Sequence, residues 1–299
     1  MKNKNTLAHL AILSANLIYG VNYTFAKDVM PVFIKPFGFI FLRAIGALSL
    51  FWLVSLFFKQ EKIETKDFKV LAMCGFFGVA LNQLTFFSGL SITSPINAAI
   101  IMTTNPILVL IAAAFILKDR ITIQKVSGIT LGIIGATLLI LFKGDFSLDT
   151  STWYGDLLVF INAMSYGVYL VIVSPLMRKY NPLTVIKWVF TFGFLFIIPF
   201  GFNQFTEIEW SALPTHISLK AGFVVVFTTF FAYLLGTIGL KHLKPSTVST
   251  YIYSQPVFAA LFAIILGKDS LDSIKILATV LIFSGVYLVS KKLIKDRLN

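Results

Sequence analysis

The sequence predicts an all-α integral membrane protein whose ten transmembrane helices form two inverted five-helix repeats. Three observations predict this fold: a scarcity of charge, regularly recurring apolar runs, and an internal repeat. Of the 299 residues, 57% are hydrophobic and 13% are charged, whereas soluble domains carry about 25% charged residues. This composition excludes a soluble globular domain.

The length of the apolar runs predicts membrane-spanning helices. A helix needs about 20 residues to cross the roughly 30 Å hydrocarbon core of a bilayer, and ten runs of about this length follow one another with short connections. Because no stretch between them is long enough for a soluble domain, every element is expected to be a membrane span. The predicted spans cover 6–26, 36–58, 69–89, 94–117, 123–142, 156–176, 182–201, 218–240, 245–266 and 274–293.

The distribution of basic residues predicts how these spans are oriented. The net charge is +12, but the lysines and arginines are spread over the connections, which disfavours a nucleic-acid partner. With the N-terminus inside the cell, the inner connections hold about three times as many basic residues as the outer ones. We therefore expect a multi-pass protein of the inner (cell) membrane with both termini in the cytoplasm.

An internal repeat divides the chain into two copies of a five-helix unit. Residues 89–119 match residues 239–269 without a gap, including Gly89 with Gly239 and Pro106 with Pro256, and "YGV" at 19–21 recurs at 166–168. The predicted units are 1–143 and 155–299, joined by a linker at 144–154. Since five is odd, the second copy must be inverted in the bilayer. Inverted repeats are typical of secondary transporters, whose substrate site lies near the midplane.

Two prolines break the fourth and ninth predicted spans at matching depths. Pro106 lies about 12 residues into its span, or roughly 18 Å at 1.5 Å per residue, and Pro256 occupies the equivalent place. Each follows an amide, Asn105 or Gln255, and each proline removes a backbone donor within its span. A simple kink is one interpretation. We favour a cavity wall, because exposed backbone at this depth is tolerated only in protein or beside a cavity.

Polar side chains at helical spacing indicate which spans face this cavity. Polar groups are costly in lipid and tend to face protein or water, and in the first span they fall on one face, at i, i+3 and i+7. The alternative is ordinary hydrogen bonding between helices. The candidate cavity residues are Asn16, Tyr19, Tyr23, Asn82, Gln83, Asn97, Asn105, Tyr166, Tyr169, Tyr233, Tyr253 and Gln255.

Ionisable residues and glycines complete the pattern. All acidic residues fall at loops or span ends, whereas Arg43 lies about 10 Å deep in the second span. We expect Arg43 to extend outward or to meet Asp28, and the alternative is a contact with an anionic substrate. Gly128 and Gly132 allow close helix packing, within the protomer or between protomers.

Several short motifs, in their order, resemble the EamA-like family of the drug/metabolite transporter superfamily. "IYG" at 18–20 stands where the family often has Trp-Gly, and Arg43, Pro106 and Pro256 also match. "FILKDRIT" at 115–122 resembles the family's Phe-Leu-Gly-Glu-Arg segment, with Asp119 in place of the glutamate and Lys118 in place of the glycine. This resemblance covers essentially the whole chain. It implies a transporter that exports amino acids or related metabolites through a cavity lined by spans 1, 3, 4, 6, 8 and 9.

A small neutral or zwitterionic substrate fits the polar residues best. A cationic drug would need a counter-charge or an aromatic cage, and a sugar phosphate would need more than one cavity cation. A membrane-embedded enzyme would need a nucleophile with its base, or metal ligands, at depth, and the three histidines near span ends lack such partners. We therefore expect no catalysis, cofactor or metal. A sensor or structural protein of the same fold is the remaining alternative, and the expected state is a monomer or weak homodimer.

Overall fold

All regular secondary structure is helical over the residues that the computed structural model describes, which are 2–141, 153–265 and 273–291. Most of the predicted linker lies outside these residues, and its last two positions belong to helix α8. The helices are α1 (Lys2–Val29), α2 (Pro36–Ser55), α3 (Thr65–Gly75), α4 (Leu81–Ile92), α5 (Pro95–Met102), α6 (Asn105–Ile116), α7 (Ile123–Leu141), α8 (Trp153–Lys179), α9 (Pro182–Thr206), α10 (Thr215–Phe223), α11 (Ala232–His242), α12 (Pro245–Thr250), α13 (Ser254–Ile265) and α14 (Ser273–Ser290).

Membrane-crossing helices are evident from length and composition alone. Seven continuous helical stretches among the described residues are long and apolar enough to span a bilayer. The other three predicted spans coincide with α1, with α7, and with the interrupted rod α12–α13. Together these helices make the chain a multi-pass membrane protein.

Helix starts follow from proline and short polar residues. Pro36, Pro182 and Pro245 occupy first turns, where a backbone N–H has no partner within the helix and its loss costs little. The Ser94 side chain accepts a hydrogen bond from the Asn97 backbone N–H at the start of α5, and Asn181 does the same for Leu183 at the start of α9. These caps explain why connections as short as two residues suffice.

Four irregular segments interrupt the long helical rods. A π-helical turn at Phe76–Ala80 joins α3 to α4, and another at Val224–Phe231 joins α10 to α11. The rod containing Pro106 breaks between α5 and α6, and a 3₁₀ turn at Tyr251–Tyr253 separates α12 from α13. All four irregular segments lie at positions matched by the 150-residue sequence offset.

Glycines let several pairs of helices pack against each other's backbone. A Cβ on Gly128 would lie 2.8 Å from the Gly285 carbonyl of α14, and a Cβ on Gly132 would collide with the Tyr253 ring. Both contacts lie within one chain. The predicted Gly128 to Gly132 packing motif therefore joins α7 to α14 and to the break before α13.

Equivalent contacts recur between the two sequence repeats. Gly89 of α4 packs against Val159 of α8, and Gly239 of α11 packs against Ile12 of α1. Gly239 lies 150 positions after Gly89, and Ile12 lies 147 positions before Val159, so the second contact repeats the first at the offsets read from the sequence. The α1–α13 and α6–α8 contacts, at Gly20 and Gly167, are related in the same way.

Candidate functional site

A cavity lies between residues of both sequence repeats, where the rods are irregular. Its volume is about 90 Å³, far smaller than the roughly 300–1,000 Å³ pockets of drug-sized ligands. The two residues four positions before the helix-breaking prolines, Met102 and Ile252, both line it. So do these predicted residues: Asn16, Tyr19, Arg43, Asn82, Gln83, Tyr166, Tyr233 and Gln255.

Four further predicted residues, Asn97, Asn105, Tyr169 and Tyr253, are buried but do not line the cavity. Asn105 is completely buried and its Nδ2 donates to the Ala163 carbonyl of α8 at 2.7 Å. Tyr169 packs over Gly78 in the first π-helical turn, and Tyr253 packs over Gly132. Asn97 is buried in the first turn of α5.

The two helix-breaking prolines lie at the starts of helices. The side chain of Tyr23 lies outside the described part of the structure. Pro106 lies in the first turn of α6, and Pro256 lies in the first turn of α13. Each proline therefore begins a new helix after a break, which is where a missing N–H does least harm.

Hydrogen bonds between helices shape one wall of the cavity. Gln255 Nε2 of α13 donates to Asn16 Oδ1 of α1 at 2.8 Å, and the Asn16 amide donates to the Ile12 carbonyl. Positions 255 and 16 are the repeat equivalents of Asn105 and Ala163, so the same joint between helices occurs in both repeats. In the second copy, however, the amide pair also borders the cavity.

Another part of the cavity wall is held by a network centred on Asn82. The Tyr233 hydroxyl of α11 lies 3.1 Å from Asn82 Oδ1 and 3.2 Å from the Gly78 carbonyl. Asn162 Nδ2 of α8 donates to the Asn82 carbonyl at 2.8 Å. Because these bonds join α4, α8 and α11, they fix the position of polar groups around the cavity.

Arg43 is the one charged residue in the described cavity wall, and its placement differs from the expected outward or Asp28-directed position. It is only 2% exposed, and its Nε donates to Thr229 Oγ1 at 3.0 Å. Asp28 instead pairs with Lys220. The Arg43 side chain stays inside because its guanidinium carbon lies 3.9 Å from the centre of the Phe87 ring, a favourable cation–π contact.

Several polar atoms of cavity-lining residues are buried without a hydrogen-bond partner. They include Arg43 Nη1, Asn22 Oδ1, Asn162 Oδ1 and Thr228 Oγ1. Buried polar atoms are nearly always paired in proteins, so these atoms mark places where a solute or water would bind.

Sequence reasoning missed part of the wall. Asn22 lies three residues after Tyr19, so the helical spacing that identified Tyr19 also marks Asn22. Thr228 lies in the apolar run "VVVFTTFF", where one hydroxyl carries little signal. Phe86 and Phe87 line the cavity, but no sequence pattern separates them from packing phenylalanines elsewhere.

The chemistry of the wall is that of a binding site. The described wall contains amides, hydroxyls, tyrosine and phenylalanine rings and one guanidinium, and it holds no Asp, Glu, His or Cys. Across the described ranges, no group of three or more metal-ligating His, Cys, Asp or Glu side chains occurs. The arrangement can hold a small polar solute by hydrogen bonds.

Comparison with known proteins agrees with this description. The sequence profile of the EamA-like transporter family matches residues 6–141 and again residues 153–291. The chain belongs to the EamA-like transporter family. This EamA-like chain is 26% identical over 294 residues to an uncharacterized transporter of Archaeoglobus fulgidus, covering 96% of this chain and 99% of the relative.

Two further comparisons extend over nearly the full length. The uncharacterized transporter YyaM of Bacillus subtilis is 27% identical over 298 residues, covering 97% of this EamA-like chain and 95% of YyaM. A protein of known crystal structure superposes with a TM-score of 0.74 at 20% identity, covering 98% of each chain. At that identity, the superposition supports the shared fold alone.

Proposed function

We propose that this EamA-like protein exports amino acids or similar small neutral or zwitterionic metabolites by alternating access through the central cavity. The observation that carries the proposal is the cavity itself, which is lined by residues of both sequence repeats and bordered by both proline breaks. A binding site at irregular helices between repeats is the usual arrangement in secondary transporters. The absence of paired catalytic groups in the described wall favours transport over chemistry.

The proposed architecture is ten spans in two inverted halves. The repeated contacts at Gly89 and Gly239, the matched π-helical turns and the two separate matches to the family profile support it. In this arrangement the halves rock about the midplane, and the breaks at Pro106 and Pro256 act as local pivots.

The proposed substrate is small because the cavity is small. About 90 Å³ accommodates a solute of a few heavy atoms, or a larger one after the helices separate. Amides, hydroxyls and tyrosine rings can bind neutral and zwitterionic groups. The competing functions are transport of another class of metabolite and sensing without transport.

The proposed cellular setting is the inner membrane, with both termini cytoplasmic and the bilayer as the immediate partner. The protein is proposed to act as a monomer or weak homodimer. A reporter fused to the C-terminus tests the orientation, because a reporter active only in the cytoplasm should be active and one active only outside should be silent. The reverse pattern would invert the proposed topology.

Counterflow in proteoliposomes tests the proposed function. Vesicles are loaded with one of a panel of small amino acids and metabolites, and the entry of the labelled solute is followed. Alternating access predicts that internal unlabelled solute accelerates entry. The reason is that the carrier, loaded with unlabelled solute, reopens to the outside and can then bind labelled solute. Folded, inserted protein that accelerates no solute in the panel would contradict transport of these substrates.

A further inference from the structure

We infer that the cavity recognises its substrate by a carboxylate bound to Arg43, and that the site selects small monocarboxylates whether or not they also carry an ammonium group. This inference rests on the proposed transport function and names the substrate class of the same cavity.

The first step concerns the guanidinium nitrogen of Arg43 that has no hydrogen-bond partner. Arg43 Nε is bonded to Thr229, whose hydroxyl in turn donates to the Val224 carbonyl in the second π-helical turn. That chain of bonds fixes the plane of the guanidinium. Arg43 Nη1 is buried with no hydrogen-bond partner while the residue lines the cavity. A fixed guanidinium with a free donor is suited to a carboxylate, whose geometry it matches.

The second step is charge. Burying a charge away from water is costly unless it is paired, and the Phe87 ring compensates only part of the lost hydration. The described wall contains no carboxylate, and Asp28, the expected partner, is paired with Lys220. An anionic solute therefore gains a strong electrostatic contact in the cavity.

The third step concerns what the wall offers the rest of the solute. The buried acceptor Asn22 Oδ1 and the hydroxyl of Thr228 lack partners, and both are neutral. A neutral acceptor can take a hydrogen bond from an ammonium, hydroxyl or amide group, but it does not neutralise a second charge. An ammonium group is consequently unnecessary for binding, and a phosphate dianion would exceed the single positive charge.

The test compares matched ligands with purified protein in detergent by titration calorimetry, which avoids passive leak of weak acids across vesicles. Propionate, propionamide and alanine share one carbon skeleton and differ in charge. At pH 7 we expect propionate to bind at least tenfold more tightly than propionamide, and alanine to bind no more tightly than propionate. Equal affinity of propionate and propionamide would overturn the inference.

Variants assign the preference to Arg43. Arg43→Gln should reduce the propionate-to-propionamide affinity ratio by at least tenfold while propionamide still binds, which shows that the cavity remains folded. Arg43→Lys, which keeps the charge but loses the planar donors of the guanidinium, should retain only part of the preference. Lys187→Gln is the matched control, since Lys187 is another deeply buried cation but bonds to Gln60 away from the cavity wall.

The outcomes separate this inference from the proposed function. Counterflow of uncharged solutes with no preference for carboxylates would leave transport standing and overturn the role of Arg43. An unchanged affinity ratio in Arg43→Gln would overturn it as well. Preferential carboxylate binding without counterflow of any carboxylate would support the binding site and contradict transport.

Discussion

At the residue scale, Asn105 and Gln255 show how equivalent positions can acquire different roles. Each lies directly before a helix-breaking proline, and each amide reaches the neighbouring helix at an equivalent place. Asn105 is completely buried and does not line the cavity, whereas Gln255 does. The sequence pattern predicts both as cavity residues because it cannot distinguish the two sides of one helix joint.

Alanine substitutions should separate these two roles. Asn105→Ala removes a buried bond to the Ala163 carbonyl, and such interhelical bonds contribute about 0.6 kcal/mol on average and up to about 1.7 kcal/mol. We expect a lower melting temperature with substrate affinity nearly unchanged. Gln255→Ala should weaken substrate binding severalfold at near-normal stability, because water can replace the amide at the cavity wall. Thermal unfolding and binding titrations on both variants check this, and identical profiles would contradict the assigned roles.

Arg43 and Asn22 show what the spacing of residues in the sequence can and cannot predict. Arg43 stands out in the sequence as a cation within an apolar run, but its rotamer depends on Thr229 and Phe87, which come from different helices. No spacing rule relates those positions. Asn22, in contrast, shares the helical face of Tyr19 and was within reach of the pattern.

At the scale of elements, the helix breaks were predictable and the π-helical turns were not. A proline within an apolar run favours an interruption, and both predicted breaks occur, but Pro175 and Pro199 lie inside the continuous helices α8 and α9. The π-helical turns at Phe76–Ala80 and Val224–Phe231 contain no proline, and their sequences are compatible with a regular helix. In the first of these turns Gly78 lies against the Tyr169 ring of another helix, a contact that no local sequence pattern predicts.

Close packing of α7 on α14 gives a prediction at this scale. An added methyl group in Gly128→Ala would lie 2.7 Å from Val289 Cγ2 and 2.8 Å from the Gly285 carbonyl, so the helices must move apart. Overpacking of this kind costs about 1–3 kcal/mol, and the melting temperature should fall. Gly167→Ala is the control, because its added methyl group meets its nearest neighbour at an ordinary 3.4 Å. A control variant as unstable as Gly128→Ala would contradict this account of the α7–α14 contact.

At the scale of the whole molecule, composition and span length predicted the all-helical membrane fold, and the structure and the family match confirm that coarser level. Long apolar runs leave a chain few alternatives in lipid, because backbone groups must be satisfied within helices. The shape of the cavity was not predictable, since it depends on how helices from the two sequence repeats pack together. The paired contacts at Gly89 and Gly239 are consistent with the predicted repeat, whose inversion remains a prediction.

Two glycines in open space provide the most direct test of the central cavity. A Cβ added at Gly236 meets nothing within 4 Å, and Gly236 lines the cavity, whereas Gly222 has equally open space but does not line it. Gly236→Leu should reduce the space in the cavity, and both leucine variants should fold at least as well as the original protein, since leucine favours helix over glycine. Counterflow of each variant in proteoliposomes is the measurement. We predict that Gly236→Leu abolishes solute exchange and that Gly222→Leu retains it; full exchange by folded Gly236→Leu would contradict a transport path through this cavity.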